Sequence, residues 1–164
     1  MNIFVLDMNP VQSARDMDCV RVPKMVTESA QMMASALRRH GATDQQMPLT
    51  KSGRPYRGGY ARHPCSIFVG DSRANFEWLS AHAIGLCFEY SFRFGKKHAC
   101  EEPIKKMAFM ADMIPEGELT PFAQAMPEEY RNEDPVVAYR AYYKSKVDSP
   151  GGVHYRHTRP PSWW

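Results

Sequence analysis

From Asp71 to Gly95 the chain reads "DSRANFEWLSAHAIGLCFEYSFRFG", a single amphipathic pattern with no proline. Asp71 or Ser72 supplies a cap at its start, and Gly95 supplies a stop. The spacing predicts one long helix over 72–94, with Phe76, Leu79, Ala83, Leu86 and Tyr90 on its apolar face. A helix of that length commits the chain to a helical architecture, because the other patterns are helical too. Gly85 inside it costs about 1 kcal/mol against alanine and points to a close approach of backbone or ligand.

Steps of seven put Asn75, His82 and Glu89 within about 40° of one another on this helix, and Arg93 lies one turn beyond Glu89. The stripe has two readings. It is a polar flank facing water, with a Glu89–Arg93 ion pair, or it is one wall of a groove carrying acid–base groups. The helix that Pro23 opens carries a comparable line. Lys24, Glu28 and Gln31 follow at i, i+4 and i+7, with Arg21 just ahead. Two such lines facing each other would gather carboxylates and cations into one groove.

The remaining elements follow from caps and periodicity. Asn9-Pro10 starts a short helix over about 10–19. The Pro23 helix buries Met25, Val26, Met32, Met33, Ala36 and Leu37 and stops at Gly41. Residues 41–70 read as a long basic loop, 102–113 as a helix, Asp134-Pro135 as the start of another, and 148–164 as an irregular tail. No strand pairs and no internal repeats are visible. The expectation is an all-α fold in a single compact domain, 1–164.

Charge is uneven within a net +3. "KSGRPYRGGYAR" carries Lys51, Arg54, Arg57 and Arg62 with Tyr56 and Tyr60 and no acid. The tail "HYRHTRPPSWW" carries Arg156 and Arg159, again without an acid. Basic residues interleaved with aromatics meet phosphates and stack on bases, although two solvated loops would look the same. Four cysteines without a CxxC pair, no leader pattern and no apolar run near ~18 residues predict reduced thiols in a soluble cytoplasmic protein. His63, Cys65, His98 and Cys100 match no common zinc spacing, and there is neither a P-loop nor GxGxxG, so no metal and no cofactor is expected.

The stretches "MNIFVLDMNP", "VPKMVTESAQMM", "HPCSIFVGDSRANFEWL", "EYSFRFGKKH", "FAQAMPEEY", "AYRAYY" and "RPPSWW" together resemble a family of small phage-encoded proteins. More sparsely, they resemble the phage pyrimidine-dimer glycosylases of the endonuclease V type. The resemblance implies an all-α, endonuclease V-like fold that binds duplex DNA and exposes a nucleotide. It implies a host-cytoplasmic location and, for the glycosylases, an N-terminal α-amine nucleophile assisted by a glutamate. The chain departs from that pattern. Asn2 is bulky for removal of Met1, and the position nearest the family's glutamate is held by Arg21 or Val22. Met17 and Cys19 depart as well.

A related phage chemistry suits the residues better. An amino acid:DNA transferase replaces the phosphate of 5-phosphomethyl-deoxyuridine with a free amino acid, in thymidine hypermodification. The expected partners are therefore duplex DNA with a modified thymine and a free amino acid. Glu28, Glu89, His63 and His82 are the candidate bases. Arg21, Lys24, Asn75, Arg93 and Lys96 are candidates for phosphate and substrate. Trp78 and Tyr90 are candidate stacking walls, and Arg54, Arg57, Arg62, Arg156 and Arg159 would grip the DNA backbone. In this arrangement the stripe on the long helix faces Lys24 and Glu28 across a groove.

Overall fold

The computed structural model describes all residues, 1–164. It is all-α, with six helices and no sheet: α1 (Pro10–Arg15), α2 (Arg21–Arg39), α3 (Pro64–Asp71), α4 (Arg73–Phe94), α5 (Glu101–Ala108) and α6 (Pro135–Lys144). Short 3-10 turns follow α5 and α6. None of the helices is long and apolar enough to cross a membrane.

Local chemistry sets the helix ends. The Asn9 side chain accepts the Val11 and Gln12 amides at 3.0 and 3.1 Å, and Pro10 takes the first helical position. Asp134 and Pro135 repeat that device at α6. The Ser72 hydroxyl caps α4, accepting the Asn75 amide at 3.2 Å, and Gly95 ends it at φ 67°. Beyond α2, Gly41 turns left-handed at φ 88°, which lets the Ala42 amide reach back to the Leu37 carbonyl at 3.0 Å. Helix α2 begins two residues ahead of Pro23. A proline in the first helical turn lacks only an amide that would have no intrahelical partner.

Helix α4 is the central element and packs on α1, α2, α3 and α5. The expected apolar face of α2 is fully buried against it, so its methionines are core. Each such side chain contributes about 1.5–3 kcal/mol of transfer free energy. Gly85 marks the crossing of α4 over α1, where an added Cβ would stand 3.1 Å from the Ala14 Cβ.

The first residues form no regular element, yet Ile3, Phe4, Val5 and Leu6 are buried. Phe4 stacks on Tyr142 at 6.0 Å and meets Tyr143 edge-on at 5.2 Å. The Arg140 guanidinium donates to the Leu6 carbonyl at 2.8 Å. The tail is tied down as well, with Tyr155 donating to the Asp16 carbonyl and Trp163 to the Asp16 carboxylate at 2.9 and 2.6 Å.

Three expectations need correcting. The segment 41–70 is not all loop, because α3 occupies its end. That helix buries Cys65, Ser66, Phe68, Val69 and Gly70 and so shows no polar–apolar alternation to betray it. The first helix ends at Arg15 rather than near 19, and the helix expected over 102–113 breaks after Ala108 into a 3-10 turn, Ala111–Met113.

Candidate functional site

The polar stripe of α4 does not face a groove. It faces α1, the end of α3 and the irregular segment around Thr120. The Asn75 amide donates to the Phe68 carbonyl and to Thr120 Oγ1, both at 2.7 Å, and its oxygen accepts the Thr120 amide at 2.9 Å. His82 is wholly buried, stacked on Trp78 at 5.2 Å, with Nδ1 3.0 Å from the Pro10 carbonyl. That geometry assigns the proton to Nδ1. Burial pushes its pKa down to about 4. Trp78 donates to the Met8 carbonyl at 2.8 Å.

The Arg93 guanidinium is sealed inside the protein. It caps the end of α1 through the Arg15 and Met17 carbonyls at 2.9 and 2.5 Å, and it pairs with Glu89 at 2.7 Å. Asn75, His82, Glu89, Arg93 and Trp78 are therefore architectural. Their hydrogen bonds go to backbone or to buried neighbours, and the one atom left without a partner, His82 Nε2, is sealed in the interior, so none is open to a substrate. Tyr90 packs against Phe94 and meets His98 edge-on at 4.8 Å, while Lys96 stands in solvent beyond the helix.

The other line, on α2, does open on a cleft. Glu28 is at its centre. Its Oε2 accepts the Asn2 amide at 2.9 Å and lies 3.8 Å from the α-amino nitrogen of Met1, and its Oε1 lies 3.6 Å from Lys24 Nζ. A cavity of about 420 Å³ on one side is lined by Phe4, Arg21, Lys24, Tyr142 and Lys146 among others. A second, of about 340 Å³, is lined by Met1, Lys24, Thr27, Glu28, Gln31 and Tyr60. Glu28 is the one carboxylate in either wall.

The cations around it are not equivalent. Arg21 is committed, donating to Asp18 and to the Gly152 carbonyl at 2.9 Å each and lying over the Tyr143 ring. Its expected role as a free phosphate ligand is corrected: it fastens the tail to α2. Lys146 Nζ rests 3.6 Å from the Tyr142 ring centroid, and the Lys24 side chain is 69% exposed. Neither of these two ammonium groups bonds to the backbone, unlike the Arg21 guanidinium. His63 caps α3 by accepting the Cys65 amide on Nδ1 at 3.2 Å. Desolvation first, and then the positive Met1 amino group, lower its pKa, while Glu28 opposes the shift. A neutral imidazole thus sits within electrostatic reach of both.

Lys51, Arg54, Arg57 and Arg62 are all exposed, and none forms an ion pair. Arg54 and Arg57 share a groove with Thr50 and Ser52 that contains no acid. Arg156 and Arg159 are exposed in the tail. The two tryptophans there turn inward onto Tyr143. Tyr56 turns inward too, with its hydroxyl 3.4 Å from Cys100 Sγ. The four cysteines are buried thiols, and no three metal-binding side chains gather anywhere in the chain.

Of the cleft lining, sequence reasoning named Arg21, Lys24 and Glu28 and raised the Met1 amine only through the resemblance; it missed Phe4, Tyr142 and Lys146, which come from the two ends of the chain. It also placed the family's glutamate position at Arg21 or Val22. Glu28 stands seven residues beyond Arg21, about two helical turns further along the same helix, 3.8 Å from the Met1 nitrogen. The one available signal was the buried start "NIFV", which has no partner among neighbouring residues. No family model matches the chain, and neither a curated protein nor a solved structure is found similar to it.

Proposed function

We propose that the protein is a DNA base-modifying enzyme whose reaction centre is the Glu28 cleft, and that its reaction transfers an amino acid to a phosphate-activated thymine. One observation carries the reading. A single buried carboxylate shares a cleft with Lys24, Lys146 and the Met1 amine, and the acid-free basic loop reaches its wall through Tyr60. The resemblance of the sequence motifs to phage base-modifying proteins supports the choice of DNA.

The residues divide the work as follows. Lys24 and Lys146 hold the two anions, the phosphate of 5-phosphomethyl-deoxyuridine and the carboxylate of the amino acid. Glu28 takes a proton from the amino acid's ammonium, which frees the lone pair. That nitrogen attacks the exocyclic methylene carbon. The C–N bond forms, the C–O bond breaks, and phosphate leaves with the electron pair. The product keeps the second proton as a secondary ammonium, and His63, which lines neither cavity, takes no part in the transfer. Arg54, Arg57 and Arg62 hold the duplex at the rim while the modified base leaves the stack.

A second reading is favoured by the 3.8 Å approach of the Met1 nitrogen to Glu28. In a chain that begins at Met1, this amine would attack C1′ of the nucleotide as a glycosylase–lyase does, with Glu28 assisting. One experiment separates the two. Duplex DNA carrying 5-phosphomethyluracil is incubated with the protein and a mixture of amino acids, and the nucleosides are analysed by mass spectrometry. A thymidine adduct with the mass of one amino acid is the expected product. Base loss or a borohydride-trapped adduct would establish the second reading. Unchanged DNA in a complex that retards on a gel would reduce the protein to a DNA-binding factor.

A further inference from the structure

Two non-glycine residues in the chain have a left-handed backbone, Phe4 and Tyr60, both at φ 54°, and both line the Glu28 cleft. Such strain persists only where the surroundings enforce it, and it gathers at functional sites. Phe4 is explained by its burial among the α6 tyrosines. Tyr60 is not, because it is 70% exposed. The fold holds a large aromatic ring in water on a strained residue and gains no burial from it.

The loop that carries Tyr60 is pinned on both sides. The Ser35 hydroxyl donates to the Gly59 carbonyl and accepts the Gly59 amide, both at 2.9 Å. Gly58, at φ 84°, passes so close to α2 that an added Cβ would stand 2.4 Å from Ser35 Oγ and 2.7 Å from its backbone nitrogen. Arg38 donates twice to the Tyr56 carbonyl, at 3.0 and 2.9 Å. On the other side the Tyr60 carbonyl accepts the His63 amide at 2.8 Å, at the start of α3. The ring is thus presented from a fixed mount, with exposed Arg57 and Arg62 three residues before it and two after it.

We propose that Tyr60 is the side chain on which a nucleobase stacks at the mouth of the Glu28 cleft, with Arg57 and Arg62 holding the phosphates on either side. An exposed planar ring on a pinned backbone, with exposed cations close to it in the chain and a cleft beside it, offers what an unstacked base needs: a face to lie on and charge along its backbone. This rests on the reading of the cleft as a DNA-acting site and adds the residue that positions the base.

The test uses a fluorescent oligothymidylate and anisotropy titrations over a range of salt concentrations. Tyr60→Ala and Tyr60→Asn remove the ring, and asparagine tolerates the left-handed backbone, so agreement between them excludes a backbone effect. Both are expected to bind about tenfold more weakly with the dependence on log salt unchanged, because stacking releases no counterions. Tyr60→Phe is expected to bind like wild type, whereas Arg57→Ala combined with Arg62→Ala should flatten the salt dependence. Wild-type affinity in Tyr60→Ala and Tyr60→Asn would overturn the inference while leaving DNA binding intact. No binding by the wild-type protein would overturn the DNA reading and this inference with it.

Discussion

His82 makes the interior of this protein sensitive to acid. Its imidazole is completely buried, and burial holds its pKa near 4 against 6.5 for the free side chain. The unfolded chain therefore takes up a proton first as pH falls. The stabilisation is fully present above pH 6.5 and is lost as pH falls to about 4. A shift of about 2.5 units, 6.5 minus 4, corresponds to about 3 kcal/mol at 1.36 kcal/mol per unit. The comparison that isolates this contribution is His82→Phe, which keeps a ring stacked on Trp78 and cannot ionise. Urea unfolding followed by circular dichroism, repeated between about pH 7 and pH 4, yields two curves of stability against pH. The variant should start lower, since the Pro10 carbonyl loses its donor. The wild-type curve should then fall more steeply, by up to about 1.4 kcal/mol per pH unit. Parallel curves would refute the argument, because they would mean that His82 exchanges no proton on unfolding.

Three more outcomes are expected. Arg93→Ala should cost about 3–5 kcal/mol in the same urea assay, since it leaves Glu89 buried beside the uncapped carbonyls of Arg15 and Met17; a loss below about 1 kcal/mol would show that water replaces the guanidinium. Glu28→Gln, which is nearly isosteric and can still accept the Asn2 amide, should abolish product formation in the nucleoside assay while DNA affinity on gels is kept; unchanged turnover would remove Glu28 from the reaction. Tyr60→Gly should raise stability by on the order of 1 kcal/mol, read as an increase in melting temperature, because glycine adopts the left-handed backbone without strain. A drop in melting temperature would mean that the ring contributes more to packing than its exposure indicates.

The helix ends were legible in the sequence because capping is local chemistry. Asn9-Pro10, Ser72, Asp134-Pro135, Gly41 and Gly95 act within a few residues of themselves. The apolar face of α2 was legible for the same reason, since one side of the helix meets the core and the other meets water. Helix α4 offered no such contrast. Four helices cover it, so a polar residue on it signals a buried partner as readily as a wet surface, and the heptad spacing of Asn75, His82 and Glu89 cannot tell the two apart. Helix α3 was hidden by the same lack of contrast. In the cleft, Lys24 and Glu28 were legible as an i, i+4 pair. The groups that complete the site come from residues 1–4 and 142–146, and no periodicity links positions so far apart.

The buried start of the chain also has a consequence during synthesis. Phe4 and Leu6 are synthesised more than 130 residues before the α6 residues that hold them, Tyr142 against the Phe4 ring and Arg140 on the Leu6 carbonyl. Ser13 can bond the Phe4 and Leu6 backbones early, but at about 5–20 residues per second the contacts with α6 wait on the order of ten seconds. Over that interval α1 to α5 can form and gather around α4, leaving an open slot. The last helix and the first residues then have to enter it together. Substitutions at Arg140 or Tyr142 should therefore lower the yield of folded protein from cells more than they lower the stability of the purified molecule.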